Sequence, residues 1–254
     1  MKYQNIKILK WNLFNNIPIK AGITTRNGGF SLPPYNSFNL ASHTGDNLEH
    51  IIKNRKILTD YLGLSLNAYT SASQIHGDDI VVISKDNVGD KNLTCDGLIT
   101  TSSYPLLNIF VADCVPIVLY DNKNRVGAVC HCGWKGTYKS LLPKMILKMI
   151  KEYNSKAQDI LIGIGPSIGS CCYNVSEELY FKFNPDSDEG YIKNNNFYLD
   201  LKMINYNQAI KSGVLSNNIE IMNYCTSCSN DLFYSYRKEG ESSGRFSCYL
   251  NIIS

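Results

Sequence analysis

The chain has 254 residues, 44% of them hydrophobic, which is enough to bury one substantial core. Charged residues make up 19% and the formal net charge is +3, a balance too mild to favour a nucleic-acid or membrane surface as partner. No apolar stretch approaches the roughly 18 residues of a membrane span, and the first residues lack the apolar region of a signal peptide. Because nine cysteines then occur without an export signal, we expect a reduced, cytoplasmic location.

Apolar periodicity in the first quarter of the chain predicts two strands and one long helix. The runs over residues 6–11 and 21–29 are typical of strands, and the second ends in a glycine turn. After a Pro-rich loop, residues 45–64 predict a helix that Asp46 caps and Gly63 ends. The apolar face of this helix is expected to consist of Leu48, Ile51, Ile52, Leu58 and Leu62.

Strand and helix signals alternate through the rest of the chain. Helices are predicted from Ser140 onward, at residues 176–183 and at residues 200–211. The first of these helices is expected to carry an apolar stripe of Leu142, Met145, Ile146, Met149 and Ile150. Short β-branched runs predict further strands, at residues 79–83, 97–100, 106–112, 116–120, 126–131, 159–165, 219–222 and 245–253. No fixed-period repeat and no linker interrupts this order, so residues 1–254 are expected to form a single α/β domain.

Three residues at or beside the ends of predicted strands are candidate metal ligands. His131 ends an apolar strand at a glycine turn, His76 precedes a glycine beside another strand, and Cys114 separates two apolar runs. Two histidines and a thiolate with an open fourth position are typical of a catalytic zinc site. The alternative is that all three are ordinary core residues. The remaining histidines, His43 and His50, are expected on the solvated surface near the first helix.

Copper is the alternative metal for this ligand set. Two histidines and one cysteine also describe a blue-copper centre, which needs a weak axial ligand such as methionine. None of the five methionines lies near the three candidates in the sequence, and a multicopper oxidase needs far more histidines than the four present. Zinc is therefore the predicted cofactor, and copper is less favoured.

Cys225 and Cys228 have the C-x-x-C spacing of half a structural zinc knuckle or of a redox motif. A second pair with this spacing is missing, and the adjacent Cys171 and Cys172 do not supply it. We therefore expect Cys225 and Cys228 to be packed free thiols.

Seven blocks of sequence follow one another in a fixed order. They are TTRNGGFSLPPYNSFNLASHTGDN followed by NR, then SQIHG, DGLIT, ADCVPIVLYD, HCGWKGT, GIGPSIGSCCYNV and DLFYSYRKEGESSGRFS. In this order they resemble the YfiH family, whose members have been labelled multicopper polyphenol oxidases and also peptidoglycan editing factors. The resemblance runs from about Gly22 to the C-terminus, so it is far more specific than any single motif.

The resemblance implies a fold, a metal site and an activity. The fold is an αββα-type sandwich, in which layered β-sheets lie between helices. The metal is a zinc held by His76, Cys114 and His131. These are the same three residues that are candidate ligands because they lie at or beside strand ends. The activity is that of a cytoplasmic purine nucleoside phosphorylase, which splits adenosine, inosine or methylthioadenosine with phosphate and also deaminates adenosine. A purine nucleoside and phosphate would be its partners, and the oligomeric state is left open.

Two residues depart from the family's usual pattern. Cys132 stands where the family usually has alanine, and Lys135 where it usually has arginine. Alternation along a strand points Cys132 to the face opposite His131, so we do not expect it to reach the metal. Lys135 keeps the positive charge but loses bidentate geometry, which weakens any role in binding phosphate.

Three polar residues are candidates for the steps of phosphorolysis, which needs a positioned phosphate, a stabilised ribosyl centre and a proton for the departing base. Arg26, in a glycine turn, is the predicted phosphate ligand because its planar fork matches phosphate oxygens. A surface ion pair is its alternative role. Asn39 is predicted to hydrogen-bond the ribose or the base. Asp96 is predicted to orient a metal-bound histidine or to carry the proton, although a DG pair is also an ordinary turn.

Two other classes of function fit the same residues. One is a zinc or cysteine hydrolase that edits a peptidoglycan precursor, with Cys114 as nucleophile instead of ligand. The other is a non-catalytic module that binds a metal or a partner. Polyphenol oxidation is less favoured, because four histidines are too few for a multicopper centre.

Overall fold

The structure is a computed structural model that describes residues 6–89 and 92–253. In chain order its strands are β1 (Ile8–Leu9), β2 (Ile19–Thr24), β3 (Tyr69–Ser71), β4 (Ile80–Val82), β5 (Gly97–Thr100), β6 (Leu106–Val111), β7 (Val115–Asp121), β8 (Val126–Cys132), β9 (Ile160–Ile164), β10 (Asn174–Val175), β11 (Gly190–Lys193), β12 (Asn196–Leu199), β13 (Ile219–Ile221) and β14 (Phe246–Ile252). Its α-helices are α1 (Leu48–Tyr61), α2 (Trp134–Tyr138), α3 (Leu141–Tyr153), α4 (Glu177–Phe183), α5 (Leu201–Lys211) and α6 (Tyr236–Glu239).

Two large mixed sheets form the centre of the molecule. The first sheet has the strand order β1-β2-β14-β6-β3, and the second sheet has the order β13-β9-β7-β8-β5-β4. In the second sheet β7 pairs antiparallel with β8 and β9, while β13 runs parallel to β9 and β4 runs parallel to β5. A small sheet of order β10-β12-β11 lies apart from both.

The two large sheets pack face to face and are covered by helices on their outer sides. Ile109 and Leu250 of the first sheet share one buried core with Val118 and Val129 of the second. A second core joins the outer side of the second sheet to α3 and α5, and a third joins the outer side of the first sheet to α1. The resulting order of helix, sheet, sheet and helix confirms the predicted αββα-type sandwich.

The long helices follow the predicted apolar stripes to different degrees. In α3 the predicted residues Leu142, Met145, Ile146 and Met149 are buried, as the periodicity requires, and the fifth, Ile150, is partly buried. In α1 the prediction is partly wrong, because Leu48 and Ile52 are 58% and 47% exposed. The stripe of α1 that packs on the first sheet is narrower than the apolar pattern, since Leu48 is the first helical residue and Ile52 lies about 100° around the helix from the buried Ile51.

The cap predicted for α1 is also wrong by one residue. Asn47 caps the helix, and its side-chain oxygen accepts a hydrogen bond of 2.8 Å from the backbone N–H of Glu49. The Asp46 carboxylate instead accepts hydrogen bonds from the Asn47 backbone N–H and from the Asn39 side-chain amide. Across residues 6–89 and 92–253, none of the helices is long and apolar enough to span a bilayer.

Candidate metal centre and substrate cavity

The links between the two large sheets bring the three predicted metal ligands together. β3 and β6 lie parallel in the first sheet, so the chain leaves both strands at the same end and crosses to the second sheet. His76 lies on the crossing to β4, and Cys114 lies on the crossing to β7. The pairing of β7 with β8 then places His131 opposite Pro116. The ligand atoms of His76, Cys114 and His131 therefore all lie within 4.8 Å of one another.

Asp96 organises this centre through its carboxylate, which is almost fully buried. One oxygen lies 2.7 Å from His131 Nδ1. The same carboxylate accepts the backbone N–H groups of Ile75, His76 and Gly77, at 3.2, 3.1 and 2.6 Å. These bonds stabilise the left-handed backbone of His76, whose φ is +57°. The contact with His131 is the one that an orienting role requires, although that role stays a prediction.

Gly133 is required by the close approach of the three ligands. A Cβ at this position would lie 2.9 Å from Cys114 Sγ and 3.2 Å from His76 Cδ2. Any larger residue would therefore push two candidate ligands out of place. This explains physically why a glycine turn follows His131.

The electrostatics of the centre favour a thiolate. Burial opposes ionisation of Cys114, but the adjacent His131 and His76 outweigh it and lower the pKa of the Cys114 thiol to about 6. Burial likewise opposes the charge on His131, but Cys114 and Asp96 raise the pKa of His131 to about 10. A thiolate is the form of cysteine that binds a metal and also the form that acts as a nucleophile.

The donor set itself fits a metal ion. Because Asp96 takes Nδ1 of His131, Nε2 is left to face Cys114 and His76. A carboxylate on the second nitrogen is the usual companion of a metal-bound histidine. Two imidazoles and one thiolate are ligands that zinc accepts with an open fourth position.

A cavity of about 530 Å³ opens beside these ligands. This volume lies in the range of pockets that enclose small molecules. The residues that line it combine aromatic rings with cationic and metal-ligating groups: His43, Gln74, His76, Phe110, Val111, Ala112, Asp113, Cys114, His131, Ile168, Tyr173, Tyr236, Arg237 and Arg245.

Two lining arginines are residues that the sequence analysis missed. Arg245 uses Nη1 to donate to the carbonyls of Ser243 and Gly244, at 2.6 and 2.9 Å. Within residues 6–89 and 92–253, its Nη2 and Nε have no hydrogen-bond partner. Arg237 donates through Nη1 and Nη2 to the carbonyls of Cys172 and Asn174, so both arms of its fork are engaged. The available signal was that both lie in the last sequence block, Arg245 directly after Ser243 and Gly244.

His43 is another lining residue that the sequence analysis did not assign to a site. It was expected on the solvated surface, and it is exposed, but it lines the cavity. Its ring centroid lies 6.4 Å from that of Phe110. Desolvation at the cavity wall and then the cations Arg245 and Arg55 lower the pKa of His43, which favours its neutral form at pH 7. A neutral imidazole offers one donor and one acceptor to a ligand.

Arg26 lies outside the cavity. Its Nη1 donates to Glu239 Oε1 at 2.8 Å and to the Asn230 carbonyl at 2.9 Å, while its Nε donates to the Asn36 carbonyl. Its guanidinium carbon lies 4.5 Å from the ring centroid of Tyr234. The structure therefore does not bring Arg26 to the other predicted site residues, because its Nη1 and Nε are held in this buried network outside the cavity. Its phosphate role stays a prediction without a contact in its favour.

Asn39 is also outside the cavity and is fully buried. Its amide donates to Thr44 Oγ1 at 2.8 Å and to Asp46 Oδ2 at 3.0 Å. Its carbonyl oxygen accepts the backbone N–H of Arg245 at 2.9 Å. Asn39 thus contacts the backbone of a lining residue, and the predicted hydrogen bond to ribose or base has no support in this arrangement.

The two departures from the family pattern lie away from the ligands. Cys132 is fully buried in the core between the second sheet and α3, on the opposite side of β8 from His131. This agrees with the alternation expected along a strand. Lys135 is exposed at the start of α2, and its Nζ lies 5.5 Å from the ring centroid of Trp134.

The premise that Cys225 and Cys228 lack a second pair of cysteines is wrong, and their interpretation as free thiols stays a prediction. Cys171 and Cys172 approach them, and the four Sγ atoms all lie within 4.8 Å of one another. Cys171 and Cys172 are adjacent, so they lack the C-x-x-C spacing by which a second pair is recognised in a sequence. Tertiary structure supplies the second pair through a neighbouring loop.

The fold and the cavity define an α/β sandwich protein with a His-Cys-His group able to hold a metal beside a pocket for a small molecule. The family model described as multi-copper polyphenol oxidoreductase laccase matches residues 20–252. The chain belongs to this family, the laccase-like YfiH family.

Relatives of known name cover most of the chain. A purine nucleoside phosphorylase of Clostridium acetobutylicum is 35% identical over 220 residues, which cover 84% of this chain and 86% of that protein. The purine nucleoside phosphorylase YlmD of Geobacillus stearothermophilus is 31% identical over 248 residues, covering 91% of this chain and 89% of that protein.

Solved structures show the same fold. The crystal structure of YlmD from Geobacillus stearothermophilus superposes with a TM-score of 0.91 at 30% identity, covering 96% of this chain and 94% of that one. The crystal structure of a hypothetical protein YfiH from Bacillus licheniformis superposes with a TM-score of 0.89 at 33% identity, covering 94% of each chain.

Proposed function

We propose that this protein is a zinc-dependent purine nucleoside phosphorylase that cleaves adenosine, inosine and methylthioadenosine with phosphate. The observation that carries the proposal is one cavity lined both by His76, Cys114 and His131 and by Arg245, whose fork is partly free. Relatives that match over most of their length carry the name purine nucleoside phosphorylase.

Arg245 is the proposed phosphate ligand. Its Nη2 and Nε have no partner in the described part of the chain, and a guanidinium fork matches two phosphate oxygens. The carbonyls of Ser243 and Gly244 hold its Nη1, while Asn39 holds its backbone N–H. Arg237 lines the same cavity, but both its terminal nitrogens already donate to carbonyls, so it is the weaker choice.

The aromatic part of the cavity is the proposed place for the purine. Phe110, Tyr173 and Tyr236 line it and present ring faces that a planar base can stack against. His43 stands beside Phe110, and its lowered pKa favours the neutral form at pH 7, so its two ring nitrogens can donate to and accept from the edge of a base.

The metal-ligating residues complete the proposed site. A zinc held by His76, Cys114 and His131 would supply a Lewis acid facing the cavity. Asp96 keeps Nδ1 of His131 engaged, which directs Nε2 to the centre. Because Cys114 would use its thiolate as a metal ligand, it is not the nucleophile. Phosphate is the nucleophile in this proposal.

Adenosine deamination is the proposed second activity of the same cavity. The observation that favours it is a three-ligand group whose open side faces a space large enough for a purine. Asp113 lines the cavity, but its two oxygens accept from Thr226 Oγ1 and from the Arg237 backbone N–H, both at 2.6 Å. Asp113 is therefore already engaged, and we do not assign it the proton transfer.

The test is a product analysis of purified protein with adenosine or inosine, with and without phosphate. We expect ribose 1-phosphate and free base only when phosphate is present, and inosine from adenosine in either case. A protein with full zinc occupancy that forms no ribose 1-phosphate would refute the phosphorylase. Release of product from a peptidoglycan precursor by that protein would support the hydrolase with Cys114 as nucleophile.

Polyphenol oxidation, which the description of the family model suggests, is tested in the same way. Copper-loaded protein should not oxidise a phenolic substrate, because the four histidines of the chain are too few for a multicopper centre. A single functional domain over residues 1–254 and a cytoplasmic location remain part of the proposal and rest on the sequence alone.

A further inference from the structure

Four cysteines that do not line the cavity form a second group, here named the four-cysteine cluster: Cys171, Cys172, Cys225 and Cys228. Their Sγ atoms all lie within 4.8 Å of one another. Cys228 Sγ lies 3.7 Å from Cys171 Sγ and 3.5 Å from Cys172 Sγ. A disulfide bond is about 2.05 Å long, so these are four separate thiols.

The sulfur separations match one tetrahedral metal ion. Four thiolates at about 2.3 Å from a central zinc lie about 3.8 Å from one another, because a tetrahedron's edge is about 1.6 times its centre-to-corner distance. The separations of Cys228 Sγ from Cys172 Sγ and Cys171 Sγ, 3.5 and 3.7 Å, are close to this value. An iron–sulfur cluster places several irons and inorganic sulfides between its thiolates, which spreads them farther apart.

Two loops are tied together at the cluster. Cys171 and Cys172 lie on the loop after β9, and Cys225 and Cys228 lie on the turn after β13. The strands β9 and β13 are parallel neighbours, so both loops leave the second sheet at the same end. Ser167 pairs with Cys225 as a parallel bridge, which continues this pairing into the loops.

The loop backbone is shaped around the sulfurs. The backbone N–H of Gly169 donates to Cys225 Sγ at 3.3 Å. A Cβ on Gly169 would lie 3.3 Å from Cys225 Cβ and 3.4 Å from Cys171 Sγ, so the absence of a side chain permits this approach. An N–H group that donates to a sulfur stabilises negative charge on it. This contact therefore favours a thiolate over a thiol that is only packed against apolar neighbours.

We propose that the four-cysteine cluster binds one zinc ion through four thiolates, as a structural site separate from the His76–Cys114–His131 centre. Four thiolates close the coordination sphere of zinc and leave no position for a substrate. Four ionised thiols this close would repel one another strongly, and a divalent cation at their centre offsets that repulsion.

The proposed zinc would anchor one wall of the cavity. Ile168 and Tyr173 line the cavity from the loop that carries Cys171 and Cys172. Arg237 reaches the same loop by donating to the Cys172 carbonyl at 3.1 Å. A metal that joins the two loops therefore stabilises the position of cavity residues without touching the substrate.

The first test separates the two metal sites in the whole protein. The variant His76→Ala/His131→Ala lacks two ligands of the cavity site, and we expect it to retain about one zinc per chain. X-ray absorption at the zinc edge should show a shell of sulfur alone. The same spectrum on the unaltered protein should show more sulfur than the single Cys114 provides. Loss of all zinc from the double variant, a shell containing nitrogen, or iron in place of zinc would overturn the proposal.

The second test removes the cluster. Cys171→Ser/Cys228→Ser should lose one of two zinc ions, whereas the matched control Cys248→Ala, a fully buried thiol of β14, should keep both. If the double variant does not fold, the single variant Cys228→Ser changes an exposed residue and should lower zinc affinity at the cluster at least tenfold. Unchanged zinc content in the folded variants, or an intact mass showing a disulfide among the four cysteines, would refute the site.

Discussion

Replacing Arg26 by alanine distinguishes a structural arginine from a phosphate ligand. The side chain of Arg26 joins the end of β2 to Glu239 in α6, 213 residues later in the chain. Glu239 in turn accepts the backbone N–H of Ser235 at 3.0 Å and the hydroxyl of Ser243 at 3.2 Å. The pair therefore stabilises the segment that leads to Arg245, and we expect Arg26→Ala to act first on stability.

The expected size of the effect follows from burial. The Arg26 and Glu239 side chains are 10% and 19% exposed, so the pair is largely but not fully removed from water. Breaking a buried ion pair by removing one partner costs about 3–5 kcal/mol. The residual exposure puts Arg26→Ala at the lower end, about 3 kcal/mol in the free energy of unfolding. For a domain of this size that loss lowers the melting temperature by roughly 6–12 °C.

The assay combines unfolding with kinetics and uses Glu239→Gln as the matched variant. Denaturant unfolding should give a non-additive double-mutant cycle for the pair, because both changes remove one interaction. Any change in KM for phosphate should be similar in the two single variants, since both act through the segment that carries Arg245. A melting temperature unchanged in Arg26→Ala, with the KM for phosphate raised in that variant alone, would refute this reasoning and restore Arg26 as the phosphate ligand.

Three further predictions concern the cavity. Arg245→Ala should raise the KM for phosphate and depress phosphorolysis roughly 10²-fold, about 2.7 kcal/mol of transition-state binding, with partial recovery in Arg245→Lys; an unchanged KM for phosphate would exclude Arg245 as its ligand. His76→Ala or His131→Ala should each cut zinc affinity at the cavity site at least tenfold, measured by competition with a chelator, and full affinity in both would remove them from the ligand set. Asp96→Asn keeps the shape of the side chain but removes its charge, so it should lower zinc affinity about 10–100-fold. A loss of stability with unchanged zinc affinity would show that Asp96 only holds the backbone of the loop at His76.

Local pattern alone determined much of the fold. The β-branched runs predicted the main strands of both large sheets, because strands buried on both faces are nearly continuous apolar segments. The stripe of α3 was equally readable, since Leu142, Met145, Ile146 and Met149 recur at helical spacing. The strands of the small sheet were missed, because Leu199 is the only buried residue in β10, β11 and β12, so none of them carries a buried apolar run.

The candidate metal ligands were also readable from the chain. His131 lies where an apolar strand meets a glycine turn, Cys114 lies between two apolar runs, and His76 precedes a glycine beside another strand. The strands β3 and β6 are parallel, so the chain leaves both at the same end of the sheet. This topology brings His76 and Cys114 together.

What only tertiary structure decided was the partner of each polar group. Arg26 and Arg245 are both arginines near a glycine, and nothing local says that Nη1 of one meets Glu239 outside the cavity while the other lines the cavity. Cys171 and Cys228 lie 57 residues apart, and their meeting depends on the parallel pairing of β9 with β13. The apolar periodicity of a sequence shows which face of a helix or strand is buried, because apolar side chains are stabilised by burial against any apolar neighbour. Hydrogen bonds and metal coordination require a given partner at a given distance, so they are decided only when distant segments have been brought together.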